Sequence, residues 1–258
     1  MMTDHARRHP RTEMIWQQLG VELTRLAEVT GGRSLDVVDL GGGSGTFAVP
    51  LAELGHRVTV VDPSPNALAT LERRAADAGV AEAVRGVQAD AAGLLTVIDG
   101  DSADLVLCHG VLEVVDEPRT ALADVATCLR RGGACSVVAA QRHAAVIAKA
   151  LAGHFADARR LIDDAHGRWG LSDPLPRRFD EIGLATLMDD AGLDVVEVHG
   201  VRVLTDLVAG SVVEDPGEAA ALAELEAAAV REPAFRAVAA ALHVLARRGD
   251  DGTRTVPG

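Results

Sequence analysis

Short runs of β-branched residues recur along this chain, each followed by a stretch with helical spacing, and this alternation constrains the fold more than any other feature. The first five runs are "SLDVVDL" (34–40), "RVTVVD" (57–62), "AVRGVQAD" (83–90), "ADLVLCHG" (103–110) and "ACSVVAAQ" (134–141). Strands that alternate with helices pair in parallel, because a return to the same edge of a sheet needs a crossover long enough to hold a helix. The expectation is an α/β fold: a seven-stranded, mostly parallel sheet with helices on both faces. Ahead of the first strand, residues 10–29 carry Ile15, Leu19, Leu23 and Leu26 at helical spacing, and Pro10 suits a first turn.

Residues 142–180 break the alternation and read as a helical insertion ending in a proline-rich loop. An insertion after the fifth strand is well placed to act as a lid over an active site. A helix over 180–192 then leads to a sixth strand at 193–204, and the alanine-rich segment 217–232 separates this from a seventh at 240–248. One domain over 10–248 is expected, with a flexible N-terminus at 1–9 and a disordered tail at 249–258.

The formal net charge of −13 makes the average surface repel phosphate backbones, so nucleic-acid binding requires a local basic patch. Cys108, Cys128 and Cys135 are odd in number and lack CxxC spacing, so buried free thiols are expected and a metal site is not. The N-terminus is polar and no run of eighteen apolar residues occurs, which points to a cytoplasmic protein with no membrane partner.

The chemistry centres on "DLGGGSG", residues 39–45. Gly41, Gly42, Gly43 and Gly45 after a strand permit positive φ and a close ligand, and a helix starting near Thr46 offers free amides to an anion. Nucleotides, NAD and S-adenosylmethionine all use such a turn. Asp62, ending the second strand, can accept from both hydroxyls of a ribose, or it caps the helix that "PSPNAL" opens.

A dinucleotide site does not need Asp39 at the start of the turn, Asp90 ending the third strand in "QAD", or "DLVLCHGVLEVV". With the "L-x-x-G-G" turn at Leu129–Gly133, this set resembles the seven-stranded S-adenosylmethionine-dependent methyltransferases across residues 35–141. The resemblance implies that Gly41, Gly42 and Gly43 lie against the methionine part of the cofactor and that Asp62 holds the ribose. It places Asp90, Ala91 and Ala92 at the adenine, His109 beside the methionyl group, and Asp39 near the ammonium. S-adenosylhomocysteine is the implied product.

Over nearly the whole chain the sequence is similar to the tRNA 5-carboxymethoxyuridine methyltransferase family. "R-x-x-x-I-W-Q-Q-L" resembles that family's leading helix and implies a cofactor contact by Arg11, while "CHGVLEVVDEPR" resembles its "FH-x-VLEWV-x-DPR". "GVRVLTDL" and "REPAFRAVAAALHVLARR" follow its C-terminal half. Where the family has Tyr-Asn after strand five this chain has Ala140-Gln141, and "LIDDAHGRWGLSD" replaces a lysine-rich stretch.

The family esterifies a carboxylate, which is ionised at neutral pH and needs positioning rather than a base. A guanidinium suits that task, and Arg202 and Arg177 are the candidates, with Arg178 beside the latter. Arg202 could instead pair with Asp206 or Glu197, and Trp169 could stack on a base or anchor the insertion. The acceptor is a tRNA or a small molecule bearing a carboxylate or hydroxyl; a non-catalytic cofactor-binding protein is the remaining alternative.

Overall fold

The computed structural model describes residues 12–208, 215–230 and 232–249. Its sheet contains β1 (Asp36–Leu40), β2 (Arg57–Asp62), β3 (Val84–Gln88), β4 (Ala103–His109), β5 (Leu129–Ala140), β6 (Leu193–Val201) and β7 (Ala241–Arg248). The strand order is β3-β2-β1-β4-β5-β7-β6. All neighbours pair in parallel except β7, which runs antiparallel to both β5 and β6. With β1 flanked by β2 on one side and β4 on the other, the chain reverses its winding there, and ligands of open α/β sheets bind beyond the carboxyl ends of strands at such a point.

Helices cover both faces. On one lie α1 (Glu13–Val29), α2 (Ala48–Glu53) and α3 (Pro65–Asp77), whose Leu19, Leu51 and Leu71 are fully buried with Leu105, Leu107 and Val60 of the sheet. On the other lie α4 (Leu94–Val97), α5 (Pro118–Cys128) and, further along the chain, a helix at Glu181–Asp190; Leu122, Val125, Leu184 and Met188 pack there against Val106 and Val137. All four apolar residues expected on one stripe of α1 are buried. Between β5 and that later helix run α6 (Arg142–Leu151) and α7 (Phe155–Asp163), which makes the helix at Glu181–Asp190 α8; α9 (Pro216–Ala229) and α10 (Pro233–Arg236) follow β6.

The expected architecture is present, with local corrections. "L-x-x-G-G" is the first part of β5 rather than a turn before it: Leu129 pairs with Ala103, and after a bulge Ala134 pairs with Leu105. Gly132, at φ 70°, supplies that irregularity. β6 stops at Val201, so Arg202 follows the strand instead of lying in it. The first helix after the glycine turn starts at Ala48 and has only six residues. Arg11, the N-terminus 1–9 and the tail beyond Gly249 fall outside the described residues.

Among the described residues no helix is long and apolar enough to cross a membrane, and no group of three or more His, Cys, Asp or Glu is placed to hold a metal ion.

Candidate active site

The carboxyl ends of β1, β2, β3 and β4 surround a cavity of about 560 Å³. Gly41, Asp62, Asp90, Ala91 and Ala92 line it, together with Gly110. Sequence reasoning missed the far wall, made by Val111, Val114, Val115 and Asp116 between β4 and α5 and by Thr120 in the first turn of α5. Val111, Val114, Val115 and Asp116 lie inside the "CHGVLEVVDEPR" motif, which carries a resemblance but has no periodicity that marks its aliphatic residues as a wall.

The glycine turn is shaped around two carboxylates. A Cβ on Gly42 would stand 2.4 Å from the Asp39 carboxyl carbon, so the backbone lies on that carboxylate as only glycine allows. Asp39 is 2% exposed, and its Oδ2 has no hydrogen-bond partner among the described residues. Burial, and then the neighbouring charge of Asp62, push its pKa up to about 7. Asp62 Oδ2 accepts from the Gly43 amide at 2.9 Å and Oδ1 from the Ser64 amide at 2.9 Å.

This arrangement corrects the expectation of an anion at the turn. Gly43 already donates to a carboxylate of the chain, and a pyrophosphate there would meet Asp39 and Asp62 with like charge. The pair favours a ligand that is cationic near the turn and carries hydroxyls near Asp62. Asp90 is exposed and caps the next turn, its Oδ1 accepting from the Gly93 amide at 2.9 Å.

Residues 38–137 match the methyltransferase domain family. The chain is 29% identical to the tRNA 5-carboxymethoxyuridine methyltransferase of Escherichia coli (strain K12), over 92% of this chain and 88% of that one. The protein is an S-adenosylmethionine-dependent methyltransferase. A shorter similarity, 41% identity over 36% of this chain and 37% of the other, is to a ubiquinone biosynthesis O-methyltransferase of Methylobacterium nodulans. The same fold occurs in the Burkholderia thailandensis 1,6-didemethyltoxoflavin-N1-methyltransferase, at a TM-score of 0.54 and 23% identity over 96% of this chain and 80% of that one.

The residues present fit this cofactor. The methyltransferase has an unpartnered, buried carboxylate oxygen on Asp39 that could take an ammonium, a glycine turn that admits a close ligand, and Asp62 in the cavity lining, where its carboxylate could accept from ribose hydroxyls. An ammonium held at Asp39 would give the affinity a pH dependence with a definite sign. A cation at Asp39 stabilises the carboxylate, so binding below about pH 7 must first release a proton. Affinity should fall about tenfold for each pH unit below that value. Calorimetry in two buffers of different ionisation enthalpy reads the released proton, and Asp39→Asn should bind more weakly with this slope absent.

His109 ends β4 on the sheet face covered by α1. Its Nε2 lies 2.9 Å from Ser136 Oγ, which is also 2.9 Å from His243 Nε2. Burial lowers the His109 pKa to about 3 and holds His243 well below its usual range, so both rings are neutral. One hydroxyl proton cannot serve both nitrogens; one ring therefore carries its proton on Nε2 and the other on Nδ1. Phe47 packs edge-on against His109, with Trp16 stacked on Phe47 at 5.0 Å, which fixes the ring from the α1 side.

The arginines separate. Arg177 donates from Nη1 to the carbonyls of Leu112 (3.2 Å) and Val115 and from Nη2 to that of Asp116 (3.1 Å), tying the loop after α7 to the cavity wall. Arg178 is buried in an ion pair with Asp173 and also donates to the Gly167 carbonyl. The Trp169 ring carries Lys149 Nζ at 3.8 Å and the Arg178 guanidinium at 4.5 Å from its centroid, so it serves the insertion as an anchor.

Arg202 follows Val201, which is level with Ala241 and, through it, with Ala140 at the end of β5. It therefore stands at the ligand-side edge of the sheet. Its φ is 56°, a left-handed conformation rare for arginine, and Nε donates to Asp206 at 2.9 Å. Gln141, in the position of the family's asparagine, is 2% exposed and bonds the Arg236 carbonyl at 2.8 Å.

Proposed function

We propose that this methyltransferase esterifies a carboxylate, as on the wobble 5-carboxymethoxyuridine of tRNA, and that Arg202 holds that carboxylate. The observation that carries this reading is a strained, half-buried arginine at the carboxyl edge of the sheet, where the backbone conformation costs about 1 to 2 kcal/mol and persists only if other interactions impose it. Similarity to the Escherichia coli enzyme over most of the chain supports it.

S-adenosylmethionine supplies an electrophilic methyl whose sulfur leaves as a neutral thioether. Because the acceptor is a carboxylate, no proton is removed at the reacting oxygen, and the chain's work is to orient and desolvate. Arg202 Nε is engaged by Asp206, so the Nη side of the fork takes one carboxylate oxygen while the other is left to react. Asp39 and Asp62 hold the cofactor, with Gly41, Gly42 and Gly43 against its methionine part, Asp90, Ala91 and Ala92 at its adenine, and His109 beside it. Arg11 is proposed to join them from ahead of α1. Arg177 acts one step back: by gripping the 112–116 turn it makes the insertion at 142–180 a lid continuous with the cavity wall. With tRNA as acceptor the enzyme works in the cytoplasm.

A small-molecule acceptor is the second reading, and one observation favours it. A cavity of about 640 Å³ between α1, β6, α9 and α10 is lined by Glu13, Glu224 and Glu226 against one arginine, Arg236, which is itself paired with Glu181, so its charge suits a small molecule better than an RNA phosphate. Transfer of labelled methyl to tRNA bearing unesterified 5-carboxymethoxyuridine, run beside a metabolite extract, decides between them. Label in the nucleoside ester is expected; label in the extract alone overturns the tRNA reading.

A further inference from the structure

We infer that Glu226 is a positioning residue for acceptor methylation: its carboxylate clamps the three backbone amides that follow Arg202 and so fixes where that guanidinium points. The inference rests on the assignment of Arg202 to the acceptor carboxylate. Glu226 lies in the last turn of α9 and is 8% exposed. Its Oε1 accepts from the Val203 amide, and its Oε2 accepts from the Leu204 amide, the Thr205 amide and the Thr205 hydroxyl, each of these three at 2.9 Å.

A glutamate in this position is unfavourable on general grounds. The carboxyl end of a helix repels a negative charge, and burial penalises it further. Only the convergence of four donors on one carboxylate offsets both. Three consecutive N–H groups turned toward one point form an anion-binding concavity, and here the anion comes from the chain itself. The turn needs such a hold because Arg202 enters it at φ 56°. Its carbonyl accepts from the Ala240 amide at 3.0 Å, which secures one side of the peptide, and the Glu226 carboxylate secures the other.

Packing does not require this device. Val203, Ala229 and Ala239 form a small buried cluster that already holds α9 against the turn. What the carboxylate adds is direction: with amides 203 to 205 fixed, the Cα–Cβ bond of Arg202 has one orientation relative to β5 and β7.

Glu226→Gln keeps the size of the side chain and presents an amide N–H₂ to amide donors, breaking the clamp without opening a cavity. The test is a double-mutant cycle with Arg202→Ala, read as kcat/KM for tRNA bearing unesterified 5-carboxymethoxyuridine and as Kd for S-adenosylmethionine. Glu226→Gln should lower kcat/KM about tenfold or more, leave the cofactor Kd within about twofold, and add no further loss in the Arg202→Ala background. Thr205→Val removes a single one of the four bonds and should show a smaller loss with the same lack of additivity, which covers the case that Glu226→Gln folds poorly.

Losses that add in the double variant, or cofactor affinity that falls in parallel with turnover, would make Glu226 merely structural and overturn the inference. An active Glu226→Gln beside an inactive Arg202→Ala overturns the inference alone. If Arg202→Ala is itself fully active, or if the unaltered enzyme leaves that tRNA unlabelled, the assignment of Arg202 fails and the inference falls with it.

Discussion

Arg202→Ala should lower kcat/KM for the carboxylate acceptor by about a hundredfold or more and leave the affinity for S-adenosylmethionine within about twofold. Charge-assisted hydrogen bonds are worth roughly 1.5 to 3 kcal/mol each, and losing the hold on one carboxylate oxygen removes one or two of them at the moment of reaction. The substitution isolates the guanidinium well. Alanine meets the same steric penalty as arginine at φ 56°, so the turn keeps its conformation, whereas glycine would relax it. The Asp206 pair that is also lost is partly exposed, with side-chain accessibilities of 31% and 37%, and such pairs contribute at most about 1 kcal/mol. Single-turnover methyl transfer beside calorimetric binding checks the prediction; equal losses in both would show that Arg202 supports the fold and not the acceptor.

The second large effect is expected at Asp62. Asp62→Ala should weaken S-adenosylmethionine binding at least about tenfold, and about a hundredfold if both ribose hydroxyls are held, since two charge-assisted bonds amount to roughly 3 kcal/mol or more. The same change releases the Gly43 and Ser64 amides that the carboxylate accepts from, so the glycine turn loses its brace as well as its ligand contact. It also removes the charge that helps raise the pKa of Asp39, which should move the pH dependence of residual binding toward lower pH. Calorimetry on a variant shown to be folded reads both effects; unchanged affinity would rule out Asp62 as the ribose ligand.

The residues fixed by local pattern are legible in the sequence itself. β2 spans the residues its β-branched run marks, the apolar stripe of α1 is buried, and Gly41, Asp62, Asp90, Ala91 and Ala92 line one cavity because each sits at or just beyond a strand end. Arg202 was named by motif but misplaced by period: "GVRVL" continues the alternation of β6 on paper, while the backbone turns left-handed at Arg202 and the amides after it bond to Glu226, 24 positions away. The same limit explains Arg177. Its chemistry admits a carboxylate or a row of carbonyls, and only the fold brings the 112–116 turn to it. Contacts made once, over long separations and between unlike elements, leave no repeat in a sequence for reasoning to find.

The brace at Asp62 has a further meaning for how the enzyme meets its cofactor. A turn of four glycines is among the most mobile things a chain can contain, and ordering it when a ligand arrives would subtract from affinity and slow capture. Here the Asp62 carboxylate ties Gly43 to Ser64 across two strand ends through bonds that belong to the folded chain alone. The entropy of the glycines is surrendered once, during folding, so the ligand encounters a finished mould and the chain need not be remade at every turnover.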